Sequence, residues 1–344
     1  MNSLVFVLPL LASQEAESTL QKIDREVTSI VEKVRPSVVQ VTSVLLPNET
    51  LTLSGVIYSK DGYIVTDASG IEPAMEIQVV LGTTTLKAEH VASDRRTGIA
   101  VLRIDRVGLS PAAWCEKPGK AGAIAVVVGT PFGMRGGAST GTVSGYGRSI
   151  QVAGVRYDNM IQLSVPVQPG DCGGCVADSS GRLIGLVHST YAPDPAEFEA
   201  RSILPAFRRN PQDAAPVAGQ TVSFGTPAEW VRFSADRIIK HGRMVRGWLG
   251  LSARPLDAAV RAQLGLDEGV GVELVRIERE GPAKTAALAP RDILVEYEGK
   301  PVKDLEALQW AVARVEEPKT VKIVFLRNRE RREAELRVEI DPQK

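Results

Sequence analysis

The chain has 344 residues, which at ~150 residues per domain corresponds to roughly two domains. Lys plus Arg number 41 and Asp plus Glu number 41, so the formal net charge is zero, and no basic block offers an electrostatic footprint for nucleic acid or an anionic membrane. Charged residues at 24% and apolar residues at 44% exclude wholesale disorder. Three cysteines cannot form a disulfide scaffold. The chain has three histidines, so any chemistry that needs an imidazole must use His90, His188 or His241.

An apolar run, Leu4–Leu11, opens the chain and is followed by the small residues Ala12 and Ser13. The run is long enough for a signal-peptide core and shorter than the about 20 residues that cross a bilayer, although no Lys or Arg precedes it. We therefore interpret residues 1–13 as a candidate signal peptide and expect a periplasmic or otherwise exported protein without a transmembrane span. The alternative interpretation is an apolar tail or a start codon assigned too late.

Residues 14–35 are predicted to hold an N-terminal helix. Ser18 and Gln21 have the spacing of a capping box, and Pro36 ends the pattern. The apolar residues of this segment recur with the helical period and share one face: Leu20, Ile23, Val27, Ile30, Val31 and Val34.

From Ser37 the pattern changes to many short β-rich runs separated by Gly and Pro, with a hairpin signal at Asp61-Gly62. This spacing predicts an all-β barrel or sandwich. The predicted strands are Ser37–Val44, Ser54–Ser59, Tyr63–Thr66, Ile77–Leu81, Ala100–Ile104, Ala123–Val128, Ser139–Ser144, Gly154–Arg156, Asn159–Leu163 and Leu183–His188.

Residues 191–220 interrupt this rhythm and are predicted to form a long loop inserted in the β domain. A helix from about Pro227 to His241, stopped by Gly242, follows. Residues 246–341 then show an α+β pattern of strands with two helices, one starting at Gly281-Pro282 and one at Asp304.

The segment Pro169–Cys175 carries a Gly-X-nucleophile-Gly-Gly pattern. Its glycines permit a turn in which Cys172 projects while the N–H groups of Gly170 and Cys172 point to one place. Two such donors stabilise an oxyanion by about 3 kcal/mol each. Together with the all-β pattern, this turn resembles that of a trypsin-like serine peptidase.

Further motifs resemble the HtrA (Deg) family of peptidases in the right order along the chain. The matching segments are Ser54–Ile57, Asp61–Thr66, Thr97–Leu102, Gly129–Gly133, Thr140–Ser144 and Arg246–Leu251. The resemblance implies a trypsin-like double β-barrel over residues 36–245, followed by an α+β PDZ domain over residues 246–341. Family members assemble as trimers through N-terminal segments that often contain aromatic residues, and residues 14–34 contain none.

All three positions of the catalytic triad depart from the family pattern. The resemblance places the histidine at Ser69, the aspartate at Gly98 and the serine at Cys172. These changes remove the general base and the group that orients it, which normally costs several orders of magnitude in rate. We therefore expect no intact catalytic residue and no ordinary endopeptidase activity.

Four hypotheses remain for the reactive residues. His188 lies on the strand after the nucleophile turn and could act as the base for Cys172 in a residual hydrolase, whereas His90 and His241 are expected to be ordinary surface residues. Cys172 and Cys175 could instead form a disulfide, or a metal site with His188 and Asp171, or simply mark a site no longer under selection for catalysis. No cofactor is expected, and Cys115 is expected to be a buried apolar residue.

The segment Trp248-Leu249-Gly250-Leu251 resembles the carboxylate-binding loop of PDZ domains. In that family, backbone N–H groups of this loop take the carboxylate of a peptide C-terminus, and the next strand pairs with the peptide. The favoured hypothesis is an HtrA-like pseudoprotease that binds peptide C-termini or unfolded segments as a scaffold, adaptor or chaperone. The alternative for this unit is a PDZ fold that serves as a spacer or oligomer contact.

Overall fold

A computed structural model describes residues 18–47, 49–116, 119–152, 154–191 and 222–342. The candidate signal peptide and the inserted loop, apart from Tyr191, lie outside the described residues. Within the described part of the chain, no helix is both long and apolar enough to cross a membrane.

The predicted N-terminal helix is confirmed as α1, Thr19–Val34. Ser18 caps it with a complete capping box, in which the Ser18 side chain accepts from the Gln21 N–H and the Gln21 side chain accepts from the Ser18 N–H. Only the second half of the predicted apolar face is buried, at Ile30, Val31 and Val34. The first half of α1 therefore projects from the body of the protein.

The first barrel consists of six antiparallel strands in the closed order β1-β2-β3-β6-β5-β4. Closure leaves no free edge for pairing with another chain. The strands are β1 Val38–Leu46, β2 Glu49–Ile57, β3 Tyr63–Asp67, β4 Glu76–Leu81, β5 Thr84–Asp94 and β6 Ile99–Ile104.

The second barrel has the same number of strands, in the closed order β10-β11-β12-β9-β8-β7. It is followed by helix α2, Ala228–His241, which ends at Gly242 with a φ of 68°. The strands are β7 Ile124–Gly129, β8 Gly137–Val152, β9 Val155–Leu163, β10 Cys175–Ala177, β11 Leu183–Tyr191 and β12 Val222–Pro227.

The β-rich fold class is confirmed by these two barrels and by a third, α+β unit that follows them. Its sheet has the order β13-β19-β18-β16-β15-β14, with β17 paired to β16. Its elements are β13 Gly247–Trp248, β14 Leu251–Pro255, α3 Ala258–Gln263, β15 Val272–Ile277, α4 Pro282–Thr285, β16 Ile293–Tyr297, β17 Lys300–Pro301, α5 Leu305–Ala313, β18 Lys319–Arg327 and β19 Glu330–Ile340.

Alternation along β6 explains how the barrels meet. Its odd-numbered residues Ile99 and Val101 join an apolar cluster between the two barrels, while Ala100 and Leu102 fill the interior of the first barrel. The inter-barrel cluster also receives Cys175, along with residues of α1 and α2. Both faces of β6 are thus buried, and the turns at its end lie in the junction between the barrels.

Candidate functional site

The nucleophile turn lies between β9 and β10 and is fixed by glycines. Gly170 and Gly173 have φ values of 100° and 83°, in the region that favours glycine. A Cβ atom at Gly170 would lie 2.5 Å from the Thr130 carbonyl oxygen, and one at Gly173 would lie 2.2 Å from the Ser54 carbonyl oxygen. A larger residue at Gly170 would displace the segment after β7, and one at Gly173 would displace β2 of the first barrel.

Hydrogen bonds from the first barrel and from the turn after β7 hold this turn by its carbonyl groups. The Ser54 N–H donates to the Cys172 carbonyl over 2.9 Å, and the Ser54 hydroxyl donates to the Gly170 carbonyl over 2.7 Å. The Phe132 N–H donates to the Pro169 carbonyl over 2.7 Å. Within the described residues, the N–H groups of Gly170 and Cys172 donate to no other residue, so the predicted pair of oxyanion donors is available.

The three substituted triad positions come together beside this turn. Ser69 lies in the short 3-10 turn after β3, and Gly98 lies immediately before β6. The Ala68 N–H donates to the Gly98 carbonyl over 2.8 Å, which places the two segments side by side. Ser69 and Gly98 therefore lie on adjacent segments, at the positions where the family resemblance places the triad histidine and aspartate.

His188 forms no hydrogen bond with Cys172 in the described residues, so the pair in the residual-hydrolase hypothesis is not present in this arrangement. Its Nδ1 donates to Asp67 Oδ2 over 2.5 Å, and its Nε2 is buried without a partner among the described residues. Asp67, at the end of β3, also accepts hydrogen bonds from the N–H and the hydroxyl of Ser69. His188 and Asp67 are only 4% and 1% exposed.

The absence of a side chain at Gly98 makes room for His188. A Cβ atom at Gly98 would lie 2.5 Å from His188 Cε1 and 2.7 Å from His188 Nδ1. The Tyr157 ring contacts the imidazole edge-on, with the ring centroids 4.2 Å apart. The imidazole thus fills space next to the position where the family resemblance expects a carboxylate.

Burial raises the pKa of the Cys172 thiol to about 12, and the negative charges of Asp67 and Asp171 act in the same direction. Cys172 packs against the apolar interior of the first barrel. Asp171, whose own pKa burial raises, accepts from the Gln168 N–H over 2.8 Å. At neutral pH the thiol therefore remains protonated, which disfavours nucleophilic attack.

The disulfide hypothesis is wrong for this structure, because Cys172 and Cys175 are both free thiols. Cys175 is wholly buried in the inter-barrel cluster, whereas Cys172 packs against the cluster inside the first barrel. The two side chains thus face different parts of the core. No group of three or more metal-ligating side chains occurs among the described residues, so the proposed metal site is not assembled there.

The remaining singled-out residues lie outside the turn. His90, in β5, bonds Ser93 Oγ over 2.8 Å, and His241, at the end of α2, bonds Glu316 over 3.1 Å. Cys115 is half-buried against the interior of the second barrel. Sequence reasoning did not identify Asp67, since nothing local to it indicates a partner 121 positions away.

The loop Trp248–Leu251 lies at the start of an open groove. Gly250 turns the chain with a φ of 68°, and its carbonyl and that of Leu249 accept from Glu278 and Ala283. The N–H groups of Leu249 and Gly250 donate to no other residue within the described ranges. They are therefore free to bind a carboxylate, as the family resemblance implies.

The groove itself runs between β14 and α5. β14 is an edge strand, so one row of its backbone groups is free to pair with an added strand. The cleft has a volume of about 640 Å³. Its apolar lining is Leu249, Leu251, Ala253, Leu305, Leu308 and Val312, and residues of the barrels, among them Arg156 and Asn159, form one wall.

Several contacts fix this unit against the barrels. The Trp230 ring of α2 stacks on the Trp310 ring of α5, with centroids 3.9 Å apart, and the Asn159 amide donates to Gln309 over 2.8 Å. Arg246, which is buried, donates to Asp94 at the end of β5. The groove therefore has a defined position relative to the nucleophile turn.

Comparisons with known proteins match both halves of the chain. The model of the trypsin-like peptidase domain family matches residues 53–186, and that of the PDZ domain family matches residues 247–338. A probable periplasmic serine endoprotease DegP-like of Brucella suis is 30% identical over 266 residues, covering 76% of this chain and 47% of the relative. The corresponding Halomonas elongata protein is 30% identical over 281 residues, covering 81% and 54%. The chain thus spans about half the length of the curated relatives it matches.

Solved structures agree with this similarity. The HtrA-type protease AlgW with tripeptide has a TM-score of 0.75 and 27% sequence identity, covering 92% of this chain and 98% of that one. The serine endoprotease from Yersinia pestis has a TM-score of 0.66 and 22% identity, covering 95% and 100%, which shows a shared fold.

Proposed function

Because the chain is a homologue of the DegP/HtrA proteases, with a trypsin-like peptidase domain followed by a PDZ domain, we propose that it is a non-catalytic member that binds peptides. Its ligands are peptide C-termini or unfolded protein segments, which enter the groove between β14 and α5. It acts as a scaffold, adaptor or chaperone in the periplasm, where the names of its relatives place them.

One observation carries the binding half of this proposal: the N–H groups of Leu249 and Gly250 are free at the end of an apolar groove with an open strand edge. Backbone donors take the terminal carboxylate, β14 pairs with the peptide, and apolar side chains accept its last residue. The non-catalytic half rests on the substituted triad positions and on the protonated state of the Cys172 thiol.

Binding of a fluorescein-labelled decapeptide that ends in valine tests the groove by fluorescence polarisation. We expect the free acid to bind and the C-terminally amidated peptide to bind about tenfold or more weakly, because hydrogen bonds to a charged group contribute about 1.5–3 kcal/mol. Leu305→Glu, which puts a charge in the groove, is expected to weaken binding similarly.

Val260→Glu is the matched control, because Val260 is exposed and lies outside the groove lining. It should bind like the wild type. Equal binding of the acid and the amide, or of wild type and Leu305→Glu, would contradict peptide recognition in this groove.

The intact nucleophile turn favours one second candidate, a residual hydrolase that uses Cys172 with the N–H groups of Gly170 and Cys172 as oxyanion donors. A reactive thioester substrate is the most sensitive probe, because its leaving group needs no protonation. Turnover that disappears in Cys172→Ala and persists in Cys115→Ala would support this candidate over the non-catalytic one.

A further inference from the structure

We propose that Asp67 and His188 form a reversed dyad in which the carboxylate, and not the imidazole, acts on Cys172 and keeps the thiol unreactive inside an otherwise complete oxyanion turn. This inference rests on the proposed non-catalytic function of the same site and identifies Asp67 as the residue that keeps the Cys172 thiol unreactive. In a working thiol enzyme the imidazole lies next to the sulfur and the carboxylate lies behind it.

The backbone brings His188 next to the turn, but its ring forms no hydrogen bond with the Cys172 sulfur. The Gly173 N–H donates to the Val187 carbonyl over 2.7 Å, and the Val187 N–H donates to the Gly174 carbonyl over 2.8 Å. His188 follows directly, yet its Nδ1 is bonded to Asp67 and its Nε2 reaches neither Cys172 nor another described residue. The imidazole is therefore in the neighbourhood without being the thiol's base.

Asp67 lies beside the turn that carries Cys172. A Cβ atom on Gly173, the residue after Cys172, would lie 2.8 Å from the Asp67 nitrogen, so the two segments are in contact. Burial is the main cause of the raised pKa of the Cys172 thiol, and the Asp67 charge acts in the same direction. Three donors hold the carboxylate in place: the Ser69 N–H, the Ser69 hydroxyl and His188.

The residues packed around Asp67 and His188 favour this reversed arrangement. His188 occupies space that any side chain at position 98 would need, as the 2.5 Å approach to a Cβ atom there shows. The titratable groups facing the pair and the thiol are Tyr157 from β9 and Asp171 from the turn itself. Neither supplies a positive charge that would favour a thiolate.

The rate of Cys172 alkylation by iodoacetamide, measured against pH by intact mass with peptide mapping, tests the proposal. Wild type should react with a midpoint well above the about 8.5 of an ordinary thiol. Asp67→Asn keeps the shape and removes the charge, so we expect its rate at pH 8 to rise about tenfold or more, the change that one pKa unit produces. Asp61→Asn, an exposed site on the same barrel, should react like the wild type.

Whether each substitution raises or lowers the alkylation rate distinguishes the reversed dyad from a conventional Cys–His–Asp triad. A conventional Cys–His–Asp order predicts that Asp67→Asn and His188→Gln both slow alkylation, whereas the reversed order predicts that Asp67→Asn accelerates it and His188→Gln does not slow it. His90→Gln controls for the loss of a histidine elsewhere. A slower Asp67→Asn variant overturns the proposal.

The wild-type profile gives a test that does not depend on the folding of a variant. A midpoint at or below that of an ordinary thiol overturns the proposal. Because burial also raises the midpoint, support for the role of Asp67 comes from faster alkylation of Asp67→Asn. Peptide binding to the groove, measured on the same samples, is independent of this outcome. A reactive thiol with normal peptide binding would overturn the reversed dyad alone, and lost binding with an unreactive thiol would overturn only the binding function.

Discussion

Gly98 and His188 depend on each other, although 90 positions separate them in the chain. Gly98 has a φ of 71°, and the missing Cβ leaves the space into which the imidazole extends. Pairing with Asp67 then satisfies a buried carboxylate that would otherwise be costly. One glycine, one histidine and one aspartate thus form a single structural unit across the junction of the barrels.

Gly98→Ala is expected to lower the free energy of unfolding by more than 2 kcal/mol, measured by urea denaturation. About 1–2 kcal/mol comes from the left-handed backbone, and the collision with His188 adds to it. Gly147→Ala is the control, because Gly147 has a similar φ of 65° and no atom within 4 Å of its Cβ position. An equal loss in the free energy of unfolding of the two variants would show that the collision with His188 does not affect stability.

At the scale of the element, the sequence predicted most of the architecture. The capping box of α1, the helix stopped by Gly242 and the succession of short strands were all readable from local patterns. The prediction was wrong where tertiary structure overrides local signals. Strand β8 continues to Val152, beyond the predicted end at Ser144, because bulges at Gly145 and Arg148 absorb the glycines in its pairing with β9.

Short elements and long-range pairs escaped prediction for a different reason. Helix α3, Ala258–Gln263, spans only six residues and has no apolar periodicity, although Asp257 caps it. Within the site, the turn Pro169–Cys175 was predictable from its glycines. The pairing of Asp67 with His188 was not, because it depends on how the two barrels are placed against each other.

Helix α1 offers a matched test of burial within one element. Ile30 is 6% exposed and packs in the inter-barrel cluster, whereas Ile23 is 50% exposed on the projecting half. Ile30→Ala should lower the free energy of unfolding by about 2–5 kcal/mol, and Ile23→Ala should leave it nearly unchanged. Thermal and urea unfolding would measure both. If Ile23→Ala lowered the free energy of unfolding by a similar amount, but only at high protein concentration, Ile23 would instead lie in a contact between two copies of the chain.

At the scale of the molecule, aromatic stacking and a buried ion pair join the PDZ domain to the barrels. Asp94 accepts hydrogen bonds from Thr97, from Ser234 on α2 and from Arg246 at the entry to the PDZ domain. The same short turn that carries Asp94 ends at Gly98. The PDZ entry and the substituted triad position are therefore anchored to one segment.

Trp310→Ala is expected to loosen this junction. Loss of the stack on Trp230 removes about 0.5–1.5 kcal/mol beyond the buried area, and the exposed linker residue Arg243 should then be cleaved faster by trypsin. Limited proteolysis followed by intact mass measures the rate. Val260→Ala, on the exposed side of the PDZ domain, should not change it. Unchanged cleavage in Trp310→Ala would show that the stack does not hold the domains together.

The hydrogen bonds of the nucleophile turn allow its backbone to persist when its side chains change. Its carbonyl groups are fastened to Ser54 and Phe132 by bonds that involve no catalytic side chain. The reacting atoms at this turn can therefore be exchanged without disturbing the backbone that its glycines permit. Motif searches that rely on those glycines will therefore group active and inactive chains together, and the side chains around the turn have to separate them.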